Sequence, residues 1–252
     1  KWLEAHGGSH WAPFYTDYGV QLQKRFFDNF LKGAKNGWDQ QPRVQLQIRH
    51  PGEKFVMRHE NEWPIARTQW THFYLDPDGM RLTTTAPTVS RTLTYDAMGD
   101  GLTFQTPPLT QAIEITGPSA LKLTLSSSTV DADIFAVLRV FDPAGKEVVF
   151  QGALDPHTPI GQGWLRASHR KLDPQLSLPY RPYHTHDEKQ PLQPEVPVDL
   201  DVEIWPTCIV VPAGFRLAIT IRGRAYEWDG AETTLSNTKN PMRGCGTSEH
   251  HD

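Results

Sequence analysis

VDLDVEIWPTCIVVPAGFRLAITIRG, Val198–Gly223, decides the fold. Val198, Leu200, Val202 and Ile204 alternate with Asp199, Asp201 and Glu203. That period of two puts apolar residues on one face of a strand and carboxylates on the other. Pro212-Ala213-Gly214 is a turn composition, and further alternation follows it. The three carboxylates could serve as calcium ligands or as an acid and base pair. Their spacing reads instead as the solvated outer face of one strand, and calcium needs more oxygens than these.

The same texture spreads upstream. DADIFAVLRVFDPAGKEVVFQG (Asp131–Gly152) reads as two strands around the turn Asp142-Pro143-Ala144-Gly145. IEITG and ALKLTLSSS alternate again, and THFYLD, PDG and MRLT read as a hairpin. RVQLQIRH (Arg43–His50) sets Val44, Leu46 and Ile48 on one face. Many short strands with regular turn signals predict a mainly β chain built as an antiparallel sandwich or jelly roll. The 21 prolines and 19 glycines in 252 residues are the punctuation such a fold needs. Lys171–Pro197 is a long proline-rich excursion, and loops of that length in a compact domain serve a function or an interface.

The first 35 residues differ. Lys1–Ala5 reads as a short strand that stops at His6, before Gly7-Gly8. Thr16 is an N-cap, with Asp17 favourable in the first turn. Val20, Phe26, Phe27, Phe30 and Leu31 fall on roughly one helical face, and Gly33 closes the helix. Lys32–Pro42 is polar and glycine-bearing and reads as a linker. A strand and a helix form no core alone. They must pack on the β domain or on something outside this sequence.

Composition removes several function classes. A formal charge of −4 with no Lys/Arg block provides no field for nucleic acid. No apolar run approaches the roughly 18–20 residues that span a bilayer. Cys208 and Cys245 form no CxxC and no metal spacing; a disulfide between them is open, but they read more naturally as reduced, buried or incidental. The compartment is left open, with the cytoplasm favoured. A homo-oligomer is also left open.

Five stretches carry a resemblance: KWLEAHGGSHWAPFY, FFDNFLKGAKNGWDQQPRVQLQIR, HENEWPIARTQWTHFYL, DADIFAVLRVFDPAGKEVVFQG, and the run from GWLRASHRKLDP to VDLDVEIWPT. Together they cover most of the chain, which resembles the C-terminal part of CocE/NonD family hydrolases, relatives of cocaine esterase, α-amino-acid ester hydrolases and X-Pro dipeptidyl-peptidases. The resemblance implies an α/β-hydrolase domain whose last strand and helix are residues 1–35. Residues 36–252 would be a jelly roll of the galactose-binding-like type. It implies serine hydrolysis of a small acyl ester, amide or peptide, with no cofactor. The base follows the last strands in such enzymes, so His6 is the implied general base and His10, in the same loop, the runner-up. No G-x-S-x-G occurs: Ser9, Ser119 and Ser248 all sit in the wrong surroundings. The nucleophile and the orienting acid are therefore expected upstream of Lys1, and the chain alone is expected to be inactive.

Other constellations read as structure. In HTHD, His184 and His186 could share a side, but no Cys or second His cluster is fixed nearby in sequence, so no metal is assigned. EHHD at the end reads as a disordered terminus. Arg166, His169 and Arg170 read as structural or interdomain, with a substrate carboxylate contact as the alternative. Trp63 and Trp205 read as core or interface. Sugar stacking on such aromatics is the basis of a competing reading, a non-catalytic binding module for carbohydrate or a protein partner.

Overall fold

A computed structural model describes residues 1–230, together with two short strands beyond them. In chain order the elements are β1 (Leu3–Ala5), α1 (Ala12–Tyr15), α2 (Asp17–Lys32), β2 (Val44–His50), β3 (Lys54–Glu60), β4 (Tyr74–Asp76), β5 (Arg81–Thr83), β6 (Leu102–Gln105), β7 (Ile113–Leu125), β8 (Asp133–Phe141), β9 (Gly161–Arg166), β10 (Val198–Val211), β11 (Arg216–Arg222), β12 (Thr233–Thr234) and β13 (Pro241–Met242). Two large sheets form. One has the order β1-β2-β10-β7, with β3 also on β2; the other runs β4-β5-β6-β11-β8-β9. The chain is thus mainly β, as its alternation implies.

The sheets face each other across one core. Leu200, Val202, Ile204, Ile209 and Val211 of β10 meet Ile134, Ala136 and Val140 of β8 and Leu217, Ile219 and Ile221 of β11. Each large aliphatic side chain buried here contributes about 1.5–3 kcal/mol. The outer face of the first half of β10 is polar, as its sequence requires, while Cys208 and Val210 of the second half pack against Val44, Leu46 and Ile48. Asp201 lies opposite Lys122 and pairs with it at 2.6 Å, and Asp199 accepts a 2.7 Å hydrogen bond from Thr124, its partner across the ladder. Asp199 and Asp201 are thus occupied in cross-strand pairs, and Glu203 lies opposite Ala120 on the same face.

Two connections differ from the linear reading. The turn at Pro212–Gly214 carries Gly214 at φ +83°, but it joins β10 in one sheet to β11 in the other instead of closing a hairpin. The turn at Asp142–Gly145 forms, with Gly145 N–H donating to the Asp142 carbonyl at 2.9 Å. Its return leg is no full strand. It makes single bridges from Glu147 to Phe141 and from Phe150 to Thr158, because the chain leaves β8 to pair with the segment before β9. IEITG and ALKLT, separate in the sequence, run together as β7 through Gly117.

The helix forms between the expected caps. Thr16 Oγ1 accepts from Gly19 N–H at 3.2 Å, Gly33 takes the left-handed conformation at φ 66°, and Ala34 N–H reaches back to the Asp28 carbonyl at 3.0 Å. The short α1 precedes it in a stretch that reads as loop, with Pro13 in its first turn. It packs so closely that a Cβ on Gly19 would lie 2.1 Å from the Pro13 carbonyl oxygen. β1 adds to the sandwich sheet in parallel with β2, with Leu3, Glu4 and Ala5 opposite Val44, Gln45 and Leu46.

Candidate active site

His6 follows β1 directly, and the loop after it is held at three points. Gly7 N–H donates to Gln47 Oε1 at 3.0 Å, and His10 N–H donates to the Ala153 carbonyl at 2.9 Å. Gly7 also sits against Phe55, where a Cβ would come within 2.0 Å of the ring. Glycine is therefore required beside His6 for close approach. The His6 ring is exposed, and its Nδ1 lies 3.3 Å from the Gly7 carbonyl. A proton on Nδ1 toward that carbonyl leaves Nε2 outward with a free lone pair, the arrangement a general base needs. His10 is also exposed, with its ring edge-on to Trp11 at 6.0 Å. Among the described residues, neither ring is hydrogen-bonded to a carboxylate or to a serine hydroxyl. Ser9 and Ser119 stay in their loop and strand, and Ser248 lies outside the described residues, as does Cys245.

Beside this loop the expected apolar helix face is present but uncovered. Of α2 only Gly19 is buried, while Phe27 and Phe30 are each 51% exposed and Leu31 76%. Phe26 and Phe30 lean on Trp38, and Trp2 joins them, which ties the helix to the β domain through aromatic edges. Tyr18 donates to Glu4 Oε2 at 2.8 Å; partial burial, then that hydrogen bond, pushes its hydroxyl up to about 12. The remaining apolar side faces solvent, continuous in sequence with exposed Trp11, Phe14 and Tyr15.

The other sequence candidates fall into structural roles. Arg166 grips Asp133 with two bonds of 2.9 Å, and Arg170 donates to the carbonyls of Ala167 and Gln190. Both guanidiniums fasten β9 and the excursion that follows it. Trp63 packs on Val44, Leu46 and Ile48, a small second core on the outer side of the first sheet. Trp205 is 61% exposed and lies against Trp164, itself 53% exposed, with ring centres 5.2 Å apart. Sequence reading missed Trp164 as the partner because nothing local in GQGWLR marks it.

The HTHD pair is joined by a residue from elsewhere. His186 Nδ1 lies 3.1 Å from His169 Nδ1, and the His184 ring sits 6.0 Å from that of His186. Desolvation first, then the nearby His186, lowers the His184 pKa. A groove of about 1710 Å³ runs between residues 87–98 and the second half of β7, and reaches Asp131, Asp133 and Arg166. None of its lining residues belongs to the His6 loop. Among the described residues no helix is long and apolar enough to cross a membrane.

Residues 36–251 match the X-Pro dipeptidyl-peptidase C-terminal non-catalytic domain, and the chain belongs to that family. The resemblance to CocE/NonD hydrolases is borne out by its relatives. A putative serine esterase of Mycobacterium bovis is 27% identical over 241 residues, covering 79% of this chain and 35% of the esterase. The cocaine esterase of a Rhodococcus species is 27% identical over 175 residues, covering 54% of this chain and 30% of that protein. A crystal structure of a CocE/NonD family hydrolase from Staphylococcus aureus superposes with a TM-score of 0.86 at 26% identity, over 98% of this chain and 45% of the other. This chain therefore spans about a third of the length of these curated relatives.

Proposed function

We propose that this chain provides the β domain and the general base of a serine hydrolase that cleaves acyl esters or amides. Residues 1–35 would complete an α/β-hydrolase domain, and the sandwich, of jelly-roll type, would pack on it and help wall the substrate cleft. The observation that carries this reading is the uncovered apolar side of α2 next to an exposed His6 whose Nε2 is free. An amphipathic helix left bare on one side needs a partner surface, and the family to which the chain belongs points to a catalytic domain as that partner.

In this reading a serine of the catalytic domain attacks the substrate carbonyl while His6 Nε2 takes its proton. His6 then returns the proton to the leaving alcohol or amine, and water repeats the cycle on the acyl-enzyme. A carboxylate from the catalytic domain would take over Nδ1 from the Gly7 carbonyl. The test is ester hydrolysis by the polypeptide that joins this chain to its catalytic domain. His6→Ala should lower kcat by about four to six orders of magnitude. Near-normal turnover in His6→Ala with loss in His10→Ala would move the base to His10. The present chain by itself should leave the same ester untouched.

The exposed Trp164–Trp205 pair favours a second reading, a carbohydrate-binding surface on the sandwich. Saturable calorimetric binding of an oligosaccharide, lost in Trp205→Ala, would support it.

A further inference from the structure

We propose that His169 and His186, with His184 as third ligand, form a site for a borderline divalent cation such as Zn²⁺. The excursion between β9 and β10 brings together imidazoles from two separate segments. His169 ends the turn Ala167–His169 after β9, and His184 and His186 lie 15 and 17 residues later in the chain. His169 Nδ1 and His186 Nδ1 face each other at 3.1 Å, with ring centres 5.3 Å apart.

Those separations fit a shared ion. With Zn–N bonds of about 2.0–2.1 Å, two imidazoles on one tetrahedral centre have nitrogens about 3.3 Å apart and ring centres about 5 Å apart. Imidazole is also the donor type that suits zinc, copper and nickel. His184 contributes an independent observation: its Nε2 is buried and has no hydrogen-bond partner. A buried imidazole nitrogen without a partner is costly unless something accepts its lone pair or proton.

Among the described residues, no three such side chains already meet at one point. His184 must therefore turn its ring toward the other two, and water would complete the shell. The neighbouring carboxylates are engaged, since Lys171 pairs with Asp187 at 3.1 Å and with Glu188 at 3.0 Å. His186 holds a left-handed backbone at φ 53°, an uncommon conformation for a residue other than glycine. An ion here would staple the excursion to the end of β9.

Titration of this chain with Zn²⁺ by calorimetry, with Co²⁺ absorption as the ligand-field readout, tests the site. One equivalent should bind with micromolar affinity. Single His169→Ala and His186→Ala variants should each weaken binding at least tenfold and abolish the Co²⁺ bands. Gln at either position is the second variant if Ala perturbs the fold. Replacing His250 and His251 with Ala should change nothing. No saturable binding, or affinity unchanged in the His169 and His186 variants, overturns the proposal, as does loss that follows His250 and His251 instead. Affinity unchanged in His184→Ala overturns the third-ligand assignment.

Discussion

Arg139 and Glu147 meet in a two-pronged ion pair, Nε to Oε1 at 2.9 Å and Nη2 to Oε2 at 2.7 Å, with both side chains largely removed from water. The pair ties β8 to the return leg of the Asp142–Gly145 turn, where the ladder itself gives way to single bridges. Removing one partner leaves the other charge buried without compensation, at about 3–5 kcal/mol. Glu147→Ala should therefore lower the denaturant midpoint sharply, while a double Arg139→Met, Glu147→Leu variant should recover much of the loss. Equal stability of the single variant and the parent would show that the pair contributes nothing.

Glu60 Oε2 accepts from Arg67 Nη1 at 2.7 Å, and Arg58 Nε lies 2.7 Å from Glu60 Oε1. The Arg67 hydrogen bond, ahead of the other contributions, holds the Glu60 carboxyl below its ordinary range. A carboxyl depressed in the folded state adds stability above its unfolded value of about 4.3. That contribution fades as pH falls through the folded value. Glu60→Gln should thus be less stable than the parent at pH 7, with the gap closing below about pH 4. A gap that stays constant from pH 7 to pH 3 would contradict the assignment.

Gly163 in β9 passes so close to β10 that a Cβ would lie 1.8 Å from the Glu203 carbonyl oxygen. The obstacle is backbone, which cannot rotate away. Gly163→Ala should destabilise by about 3 kcal/mol or more through forced separation of the strands. Thermal unfolding of Gly163→Ala beside Gly145→Ala would separate this close approach from backbone strain. A Cβ at Gly145 meets nothing within 4 Å, but its φ is +84°, so its cost is conformational.

Phe27 and Leu31 provide the sharpest check on docking. Both are more than half exposed here, so Phe27→Ser and Leu31→Ser should leave the melting temperature of this chain within about 1–2 °C, as surface changes do. If a catalytic domain covers this face as proposed, the same changes in the longer polypeptide should loosen the two parts. Limited proteolysis between them should quicken, and ester turnover should fall. A large loss of stability in the isolated chain would mean that the helix face packs on the β domain after all.

Much of this was legible from residue order. The alternation over 198–204 placed the carboxylates outside and the aliphatics inside, and Thr16 and Gly33 marked the ends of α2 within a residue. Period two reports faces, however, and not partners. It could not tell that β10 and β11 belong to different sheets. Nor could it tell that β2 would be covered on both sides, with Gln45 buried between Val44 and Leu46. The approach of His169 to His186 depends on the path of a 17-residue segment, which no local pattern encodes. His6 is singled out only by its position after a strand and by the family resemblance; its residue type alone carries no signal.

The parallel pairing of β1 with β2 has a mechanical consequence. Leu3–Ala5 are registered to Val44–Leu46, so His6, one residue on, is carried by the sandwich. If His6 is the base, β1 is shared between sandwich and catalytic domain, so a small tilt between the two strains the strand that carries the ring before either domain melts. Thermal inactivation of the whole enzyme should then be a hinge event, detectable several degrees below the unfolding transition of its parts.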